Sequence, residues 1–281
     1  MRRWTLRILL GALVLAALIW FGLPRALTAF GFHPHYKVPD MDLTGRRALI
    51  VVTSQGTLDP KEDATGVFAS EMTAPYYAFV DAGMAVDIAS IKGGDVPIDP
   101  ASLRWPLISA PDRRYLKDQQ FRSRVQRSFD IEMVDIEDYD IVFLAGGWGA
   151  AYDFAQSEAL GEQVSRAYAS GAVVGGVCHG PLGLIPAKAP DGSPLVEGRR
   201  ISAVTDKQVR ELGITFTPKH PERDLRAAGA LFEAETRFRD VFASHVVVDG
   251  RLVTGQNQNS GAETAHRMME VVLAGAGSEL Q

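Results

Sequence analysis

Short apolar runs along the chain predict the strands of a buried sheet. Four runs are hydrophobic over most of their length, which is typical of parallel strands covered on both faces. They cover residues 47–54, 85–90, 140–144 and 172–177. A weaker pair of runs, residues 245–248 and 251–254, flanks the dipeptide Asp249-Gly250 and predicts a β-hairpin.

Between these runs the sequence has helical character. Helices are predicted at residues 68–82, 111–130, 154–170, 206–212, 222–228 and 262–273. Gly83 fits the C-cap of the first helix, residues 93–100 predict a loop, and residues 200–204 predict a short strand. Because strands alternate with helices, we predict a doubly wound, flavodoxin-like α/β domain over residues 46–275, with a mostly parallel sheet and helices on both faces.

The first thirty residues follow a different pattern. Residues 8–23 carry no charge, and with residues 4–7 they approach the roughly 20 residues that span a bilayer. Arginines precede this run, while Trp20 and Phe21 suit the far membrane interface. A segment that is apolar on all sides is not typical of a helix on the surface of a soluble domain. Pro24 is expected to end the helix.

Two interpretations of this segment are open, a signal anchor that is retained and a signal peptide that is cleaved. The apolar run is long for a signal peptide, and no good small-x-small cleavage site precedes Phe30, so we favour the anchor. The positive flank places the N-terminus in the cytoplasm. We therefore predict a single-pass membrane protein with an anchor at residues 1–30, a linker at residues 31–45 and an extracytoplasmic, periplasmic domain.

Charge and cysteine content narrow the functional classes. The formal net charge is −5, which gives no indication of nucleic-acid binding. The chain has one cysteine, Cys178, so an internal disulfide is excluded. A lone thiol is more often a small buried hydrophobe than a nucleophile, and its local setting must decide between the two.

The setting of Cys178 is that of a nucleophile on a sharp turn. The sequence GGVCHGPLG places the cysteine directly after the 172–177 strand, between Gly176 and Gly180. Small neighbours at this spacing allow the strained strand-to-helix turn of a nucleophile elbow. The backbone N–H of His179 then faces the position of an oxyanion, and a helix starting there is expected to lower the pKa of the thiol.

A second glycine-rich turn, AGGWG at residues 145–149, follows the 140–144 strand and could supply another oxyanion N–H, which fits Gly147. The simpler interpretation is that AGGWG is only a tight turn between a strand and a helix, and both interpretations can hold together. The turn lacks the spacing and the acidic partner of a dinucleotide-binding motif. No histidine lies between His35 and His179, and the later histidines lack ligand spacing, so the sequence predicts no metal.

These motifs resemble the ThiJ/PfpI superfamily, within the class I glutamine amidotransferase-like fold. The similarity extends to SEMTAPYYAFVDAG, IASIKGGDVPIDPAS, YDIVFLAGGWGAAYDF and DGRLVTGQNQNSGAETA, and it covers about residues 46–273. These segments are similar to the branch with chaperone-like proteins and glutathione-independent glyoxalases (glyoxalase III). Several motifs in the same order support the fold strongly. They support the activity less strongly, because one fold hosts many activities.

The resemblance implies roles for individual residues. It assigns the nucleophile to Cys178, the adjacent histidine to His179, and to Glu71 a carboxyl that approaches the thiol and holds or moves a proton. Trp148 and Asp153 belong to a family motif near the pocket, with a mainly structural role. A glyoxalase III-like enzyme would convert methylglyoxal, a small reactive carbonyl, to lactate without a cofactor.

One departure from the family pattern concerns the acid that orients the histidine. Glyoxalase-like relatives often carry it in a stretch resembling TD-x-x-E, whereas here AVTDKQVRELG puts Val209 at the expected position. Asp206 and Glu211 lie nearby but out of register. Without an orienting acid the tautomer of His179 is poorly fixed, which weakens it as a base.

Two other functions stay open at this point. One is amide hydrolysis of the amidotransferase or peptidase kind, which needs a competent cysteine–histidine pair. The other is a non-enzymatic role, as a membrane-tethered chaperone or as a stress sensor that responds to oxidation of Cys178. The resemblance also implies that the protein could form a homodimer, because many relatives dimerise.

Overall fold

A seven-stranded sheet organises the part of the chain that the computed structural model describes, which comprises residues 2–59, 61–214 and 216–278. The strands are β1 (Arg47–Val52), β2 (Thr57–Leu58), β3 (Asp63–Ala64), β4 (Ala85–Ser90), β5 (Phe129–Asp130), β6 (Ile141–Leu144), β7 (Val173–Val177), β8 (Arg200–Ile201), β9 (Leu231–Phe232), β10 (Val246–Asp249) and β11 (Leu252–Gly255). The pairs β2–β3 and β8–β9 form two small sheets of their own.

Across the main sheet the strands follow the order β10-β11-β7-β6-β1-β4-β5. The edge strand β10 is antiparallel to β11, and every other neighbouring pair is parallel. Apart from the two-residue β5, the parallel strands have the order 2-1-3-4-5 of flavodoxin-like folds, and the order reverses between β1 and β6. The predicted α/β class with a mostly parallel sheet is confirmed.

Helices of the domain cover both faces of this sheet, whereas the first helix lies outside the domain with its apolar side chains exposed. The helices are α1 (Arg2–Phe30), α2 (Ala69–Asp81), α3 (Ala110–Tyr115), α4 (Gln119–Gln126), α5 (Ala150–Asp153), α6 (Glu158–Ala169), α7 (Asp206–Glu211), α8 (Pro221–Ala227) and α9 (Gly261–Ser278). Single 3₁₀ turns occur at Ile131–Met133, Ile136–Asp138, Gly180–Leu184, Asp240–Phe242 and Gln258–Ser260.

The central strand β1 shows why the sheet needs two covering layers. Ile50 and Val52 pack into the core beneath α2 and α9, whereas Leu49 and Val51 pack into the opposite core beneath α6. Successive side chains of a strand point to opposite faces, so a continuous apolar run fills both cores. Each such side chain contributes about 1.5–3 kcal/mol on full burial.

Two predicted boundaries were wrong for local reasons. The helix predicted at residues 154–170 begins at Glu158, because the Ser157 side chain accepts a hydrogen bond from the backbone N–H of Leu160 and caps it there. The helical prediction over residues 111–130 is also too long, since Phe129–Asp130 pairs with β4 as an edge strand.

The expectation that Pro24 ends the first helix was wrong as well, because α1 continues to Phe30. A proline inside a helix removes one backbone hydrogen bond and leaves nearby carbonyls short of donors. The Arg25 guanidinium donates to the carbonyl oxygen of Phe21 at 2.7 Å, next to the Trp20 carbonyl that Pro24 leaves without its helical donor. Trp20 stacks on Trp105 of the domain, with ring centroids 5.1 Å apart.

The segment predicted as a linker, residues 31–45, packs against the domain. Phe32 is buried, and the backbone N–H of His33 donates to Asn259 Oδ1 at 2.8 Å. The Tyr36 hydroxyl is hydrogen-bonded to His266 Nδ1 at 2.6 Å. The segment is thus a strap that ties the end of α1 to the start of α9.

Candidate active site

Cys178 occupies the strained turn that its sequence predicts. It follows β7 at the carboxyl edge of the sheet and has a φ of +61°, in the left-handed region that costs a side-chain-bearing residue about 1–2 kcal/mol. Two backbone hydrogen bonds hold the turn, from Cys178 N–H to the carbonyl of Gly255 and from Val204 N–H to the carbonyl of Cys178, each 3.1 Å. Strain held in this way is common at functional sites.

The glycines on either side of the cysteine are sterically required. A Cβ on Gly176 or on Gly180 would overlap the same carbonyl oxygen, that of Leu144 at the end of β6. The two neighbouring strands therefore approach closely at the elbow. This contact brings the turn after β6 directly beside the thiol.

The chain after the elbow differs from the prediction. It forms a single 3₁₀ segment, Gly180–Leu184, and not an α-helix. The expectation of a lowered thiol pKa was wrong, because burial raises the pKa of Cys178 well above its usual value and the neighbouring Glu71 raises it further. The backbone N–H groups of Gly147 and His179 act in the opposite direction and favour the thiolate.

Glu71 is brought to the thiol by the first turn of α2. Its side chain is buried, and burial raises the pKa of the carboxyl from 4.5 to about 8. A hydrogen bond with Cys178 and the N–H groups of Gly147 and Gly146 oppose that rise without cancelling it. At neutral pH the carboxyl is therefore protonated and can donate to sulfur or to a bound substrate.

His179 lies beside the thiol but in an environment unsuited to a strong base. Its Nδ1 is 3.4 Å from Cys178 Sγ, and its side chain is fully buried. Burial, with a smaller contribution from His220, lowers the pKa of the imidazole to about 3. Its Nε2 has no hydrogen-bond partner among the described residues.

The acidic residues near the expected orienting position have other partners. Val209 is a buried apolar side chain, Asp206 lies 3.6 Å from the Nδ1 of His220, and Glu211 accepts from the backbone N–H of Asp240 at 2.8 Å. None of the described carboxylates forms an ion pair or hydrogen bond with His179.

The turn after β6 forms the other wall of the site. Gly147 has a φ of +102°, and a Cβ there would overlap backbone atoms of Gly66 and Phe68. This geometry lets its N–H approach the thiol. The Trp148 ring packs edge-to-face on His179, with centroids 4.6 Å apart.

Asp153 supports this wall from behind. Its carboxylate accepts hydrogen bonds from Thr53 Oγ1 and from the backbone N–H of Ser54, both at 2.8 Å, and so ties α5 to the end of β1. Burial raises the pKa of the carboxyl to about 6. Over residues 2–59, 61–214 and 216–278, no three His, Cys, Asp or Glu side chains cluster as metal ligands.

Residues 64–271 match the model of the DJ-1/PfpI family, which is most of the chain. The chain belongs to the DJ-1/PfpI family. The superfamily that the sequence motifs resemble is thereby confirmed.

The curated DJ-1/PfpI relatives point to one activity. A glutathione-independent glyoxalase of Saccharomyces cerevisiae is 31% identical over 238 residues, 81% of this chain and 98% of that protein. One of Schizosaccharomyces pombe is 28% identical over 237 residues, 81% and 96% of the two chains. These names agree with the glyoxalase III-like branch that the motifs predicted.

Solved DJ-1/PfpI structures support the same comparison. Glyoxalase III of Candida albicans superposes with a TM-score of 0.71 at 27% identity, over 80% of this chain and 97% of that one. The Francisella tularensis Rapid Encystment Protein 24 KDa superposes with a TM-score of 0.75 at 28% identity, over 81% and 99%.

The structure brings together Cys178, Glu71, His179 and Trp148, with Gly147 beside them, from three separate parts of the chain. The sequence prediction missed the strap at residues 31–45 and the hydrogen bonds of Asp153. The strap left a signal, since buried Phe32 and the hydrogen-bonded Tyr36 are aromatic residues in a proline-containing segment without a helical or strand period.

Proposed function

We propose that this protein is a cofactor-independent, cysteine-dependent glyoxalase that converts methylglyoxal to lactate. The observation that carries the proposal is the pair formed by a strained Cys178 and a protonated, buried Glu71. The names of the curated relatives support the same reaction. Because Cys178 and Trp148 are each less than a tenth exposed, the site favours a small substrate.

The first step is addition of sulfur to the aldehyde carbon. A C–S bond forms as the C=O π bond breaks, the thiol proton leaves sulfur, and the aldehyde oxygen gains a proton to give a hemithioacetal. A carboxyl with a pKa of about 8 is suited to this exchange, because it is largely protonated at neutral pH yet returns its proton readily. The backbone N–H groups of Gly147 and His179 stabilise negative charge at this position.

The second step moves a proton between carbons. A base removes the proton from C1, the C–H electron pair forms the C1=C2 bond of an enediolate, and the C2=O π electrons move to the C2 oxygen. A proton is then delivered to C2 as the C1 hydroxyl loses its proton and becomes a carbonyl, and the C2 oxygen takes up a proton. This gives a thioester of lactate on Cys178, which water hydrolyses to lactate and the free thiol. Glu71 and His179 are both within reach of the sulfur, but the low pKa of the imidazole favours Glu71 as the base.

The setting of His179 also bears on the alternative functions. Amide hydrolysis requires a histidine that can protonate a leaving amine, which an imidazole with a pKa near 3 does poorly. Oxidation sensing favours an exposed thiol of low pKa, whereas Cys178 is buried and its pKa is raised. The site therefore supports carbonyl chemistry better than either alternative.

The assay that tests the proposal uses the full-length protein and methylglyoxal without glutathione. We expect lactate to appear in a one-to-one ratio with the methylglyoxal consumed. Lactate production should continue after treatment of the protein with a metal chelator, because the proposed reaction uses no cofactor. Consumption of methylglyoxal without lactate would indicate only adduct formation and would contradict the proposal.

We further propose that α1 anchors the protein in a membrane, with its N-terminus in the cytoplasm and the α/β domain on the other side. Residues Trp4–Phe30 form a helix long enough to span a bilayer, with a mean hydropathy of 2.3 in its most apolar window. The side chains of Leu13 and Val14 are more than half exposed and no part of the domain covers them. A cleaved signal sequence would have the same composition, so the test must separate the two.

The expected result is that the protein stays in the membrane pellet after alkaline carbonate extraction and has the mass of the uncleaved chain. Leu13→Arg with Val14→Arg should release it to the soluble fraction, because each central charge costs about 2.5–3.5 kcal/mol of insertion free energy. Lys37→Glu, a charge change outside the helix, is the control. A soluble wild-type product that lacks the first residues would instead identify a signal peptide.

A further inference from the structure

Three buried polar atoms around Cys178 have no hydrogen-bond partner among the described residues. They are Trp148 Nε1, His179 Nε2 and Glu71 Oε2. Leaving such a group without a partner costs about 1–3 kcal/mol, so isolated cases in folded proteins are uncommon. Three of them beside one nucleophile indicate a place where another molecule supplies the missing partners.

Trp148 differs from the other two because its indole nitrogen can only donate. The side chain is 8% exposed, so water reaches it poorly. Its ring rests on the His179 ring, whose Nδ1 in turn lies 3.4 Å from the sulfur. The unused N–H therefore belongs to a ring that contacts the neighbour of the thiol, and it has no acceptor among the described residues.

We infer that the Trp148 indole N–H binds the second carbonyl oxygen of a 2-oxoaldehyde and so selects substrates with two adjacent carbonyl groups. This inference rests on the proposed function. The backbone N–H groups of Gly147 and His179 face the sulfur and serve the oxygen on C1. The oxygen on C2 then needs its own donor, and Trp148 Nε1 is the one of these three unpartnered atoms that can only donate.

The same hydrogen bond strengthens during the reaction. When the C1 proton leaves, the C2=O π electrons move to that oxygen and the enediolate carries its negative charge there. A donor already in place stabilises that charge without reorganisation. Loss of one such donor typically lowers kcat by about 10²–10³-fold.

The test compares wild type with Trp148→Phe, which keeps an aromatic ring against His179 but removes the N–H. We expect kcat for methylglyoxal to fall about 10²-fold. A second readout is protection of Cys178 from iodoacetamide, which is specific because the chain has one cysteine. Protection by methylglyoxal should weaken, whereas protection by acetaldehyde, which lacks the second carbonyl, should not change.

Trp148→His provides the matched variant, since it restores a ring N–H and should recover part of the lost kcat. A wild-type kcat in Trp148→Phe, or an equal loss of protection by both aldehydes, would overturn the assignment of Trp148. A wild-type protein that makes no lactate would instead refute the proposed function. The two failures are thus distinguishable.

Discussion

Cys178→Ala is expected to abolish the conversion of methylglyoxal to lactate and to lower the rate to that of the uncatalysed reaction, a loss on the order of 10⁴-fold or more. The reason is that no other thiol exists in the chain to form the hemithioacetal. Cys178→Ser should fail as well, because a hydroxyl is far less acidic than a thiol. The measurement is lactate production by each full-length variant at equal protein concentration.

The control for this prediction is stability, since Cys178 sits at a strained position. Alanine keeps the same positive φ, so the strain of the turn is unchanged by Cys178→Ala, and only a small buried side chain is shortened. The thermal unfolding midpoint of both variants should therefore stay close to that of wild type. Lactate production at an undiminished rate by folded Cys178→Ala would refute covalent catalysis at this residue.

The strands could be predicted from the sequence because their pattern is dictated by burial. Residues 85–90 were predicted with the bounds of β4, and the hairpin around Asp249-Gly250 was found within one residue. A continuous apolar run of this length can form few structures other than a buried strand in a domain of this size. The two-residue strands β5 and β9 were missed, because pairing over two residues leaves no periodic signal in the sequence.

The site was predictable in part. Its nucleophile carries a local signature, since Gly176 and Gly180 flank Cys178 at the spacing that a sharp turn requires. Glu71 is more than a hundred residues away, and only the resemblance to a known family connected it with the thiol. The electrostatics could not be predicted, because the pKa of a group depends on burial that only the assembled fold defines.

Burial explains why the thiol pKa is raised and not lowered. The prediction relied on a helix beginning at His179, whose N-terminal end would favour a thiolate. The actual segment is a short 3₁₀ turn within the core, and Cys178 is largely removed from water. We therefore propose that Cys178 and Glu71 keep their protons until substrate arrives, so that proton transfer accompanies the addition of sulfur.

Glu71→Gln should reduce kcat by about 10²–10⁴-fold, the range that a general acid or base contributes. Glutamine keeps the shape of the side chain but cannot accept the C1 proton. Asp81→Asn is the matched control on the same helix, because Asp81 is exposed and pairs only with Arg114 at the surface. It should leave lactate production unchanged.

The same variant also tests the raised pKa of Glu71 independently of activity. Burial moves that pKa from 4.5 to about 8, so between these pH values the folded protein holds a proton that the unfolded chain releases. The wild-type free energy of unfolding must then fall as pH rises across this window, and Glu71→Gln must lose that slope. Urea unfolding of the full-length protein in detergent at pH 5, 6, 7 and 8 should show the variant gaining stability over wild type as pH increases, while Asp81→Asn follows wild type. A difference between Glu71→Gln and wild type that does not change with pH would mean that Glu71 ionises normally, and the carboxyl could not then serve as the proton reservoir of the thiol.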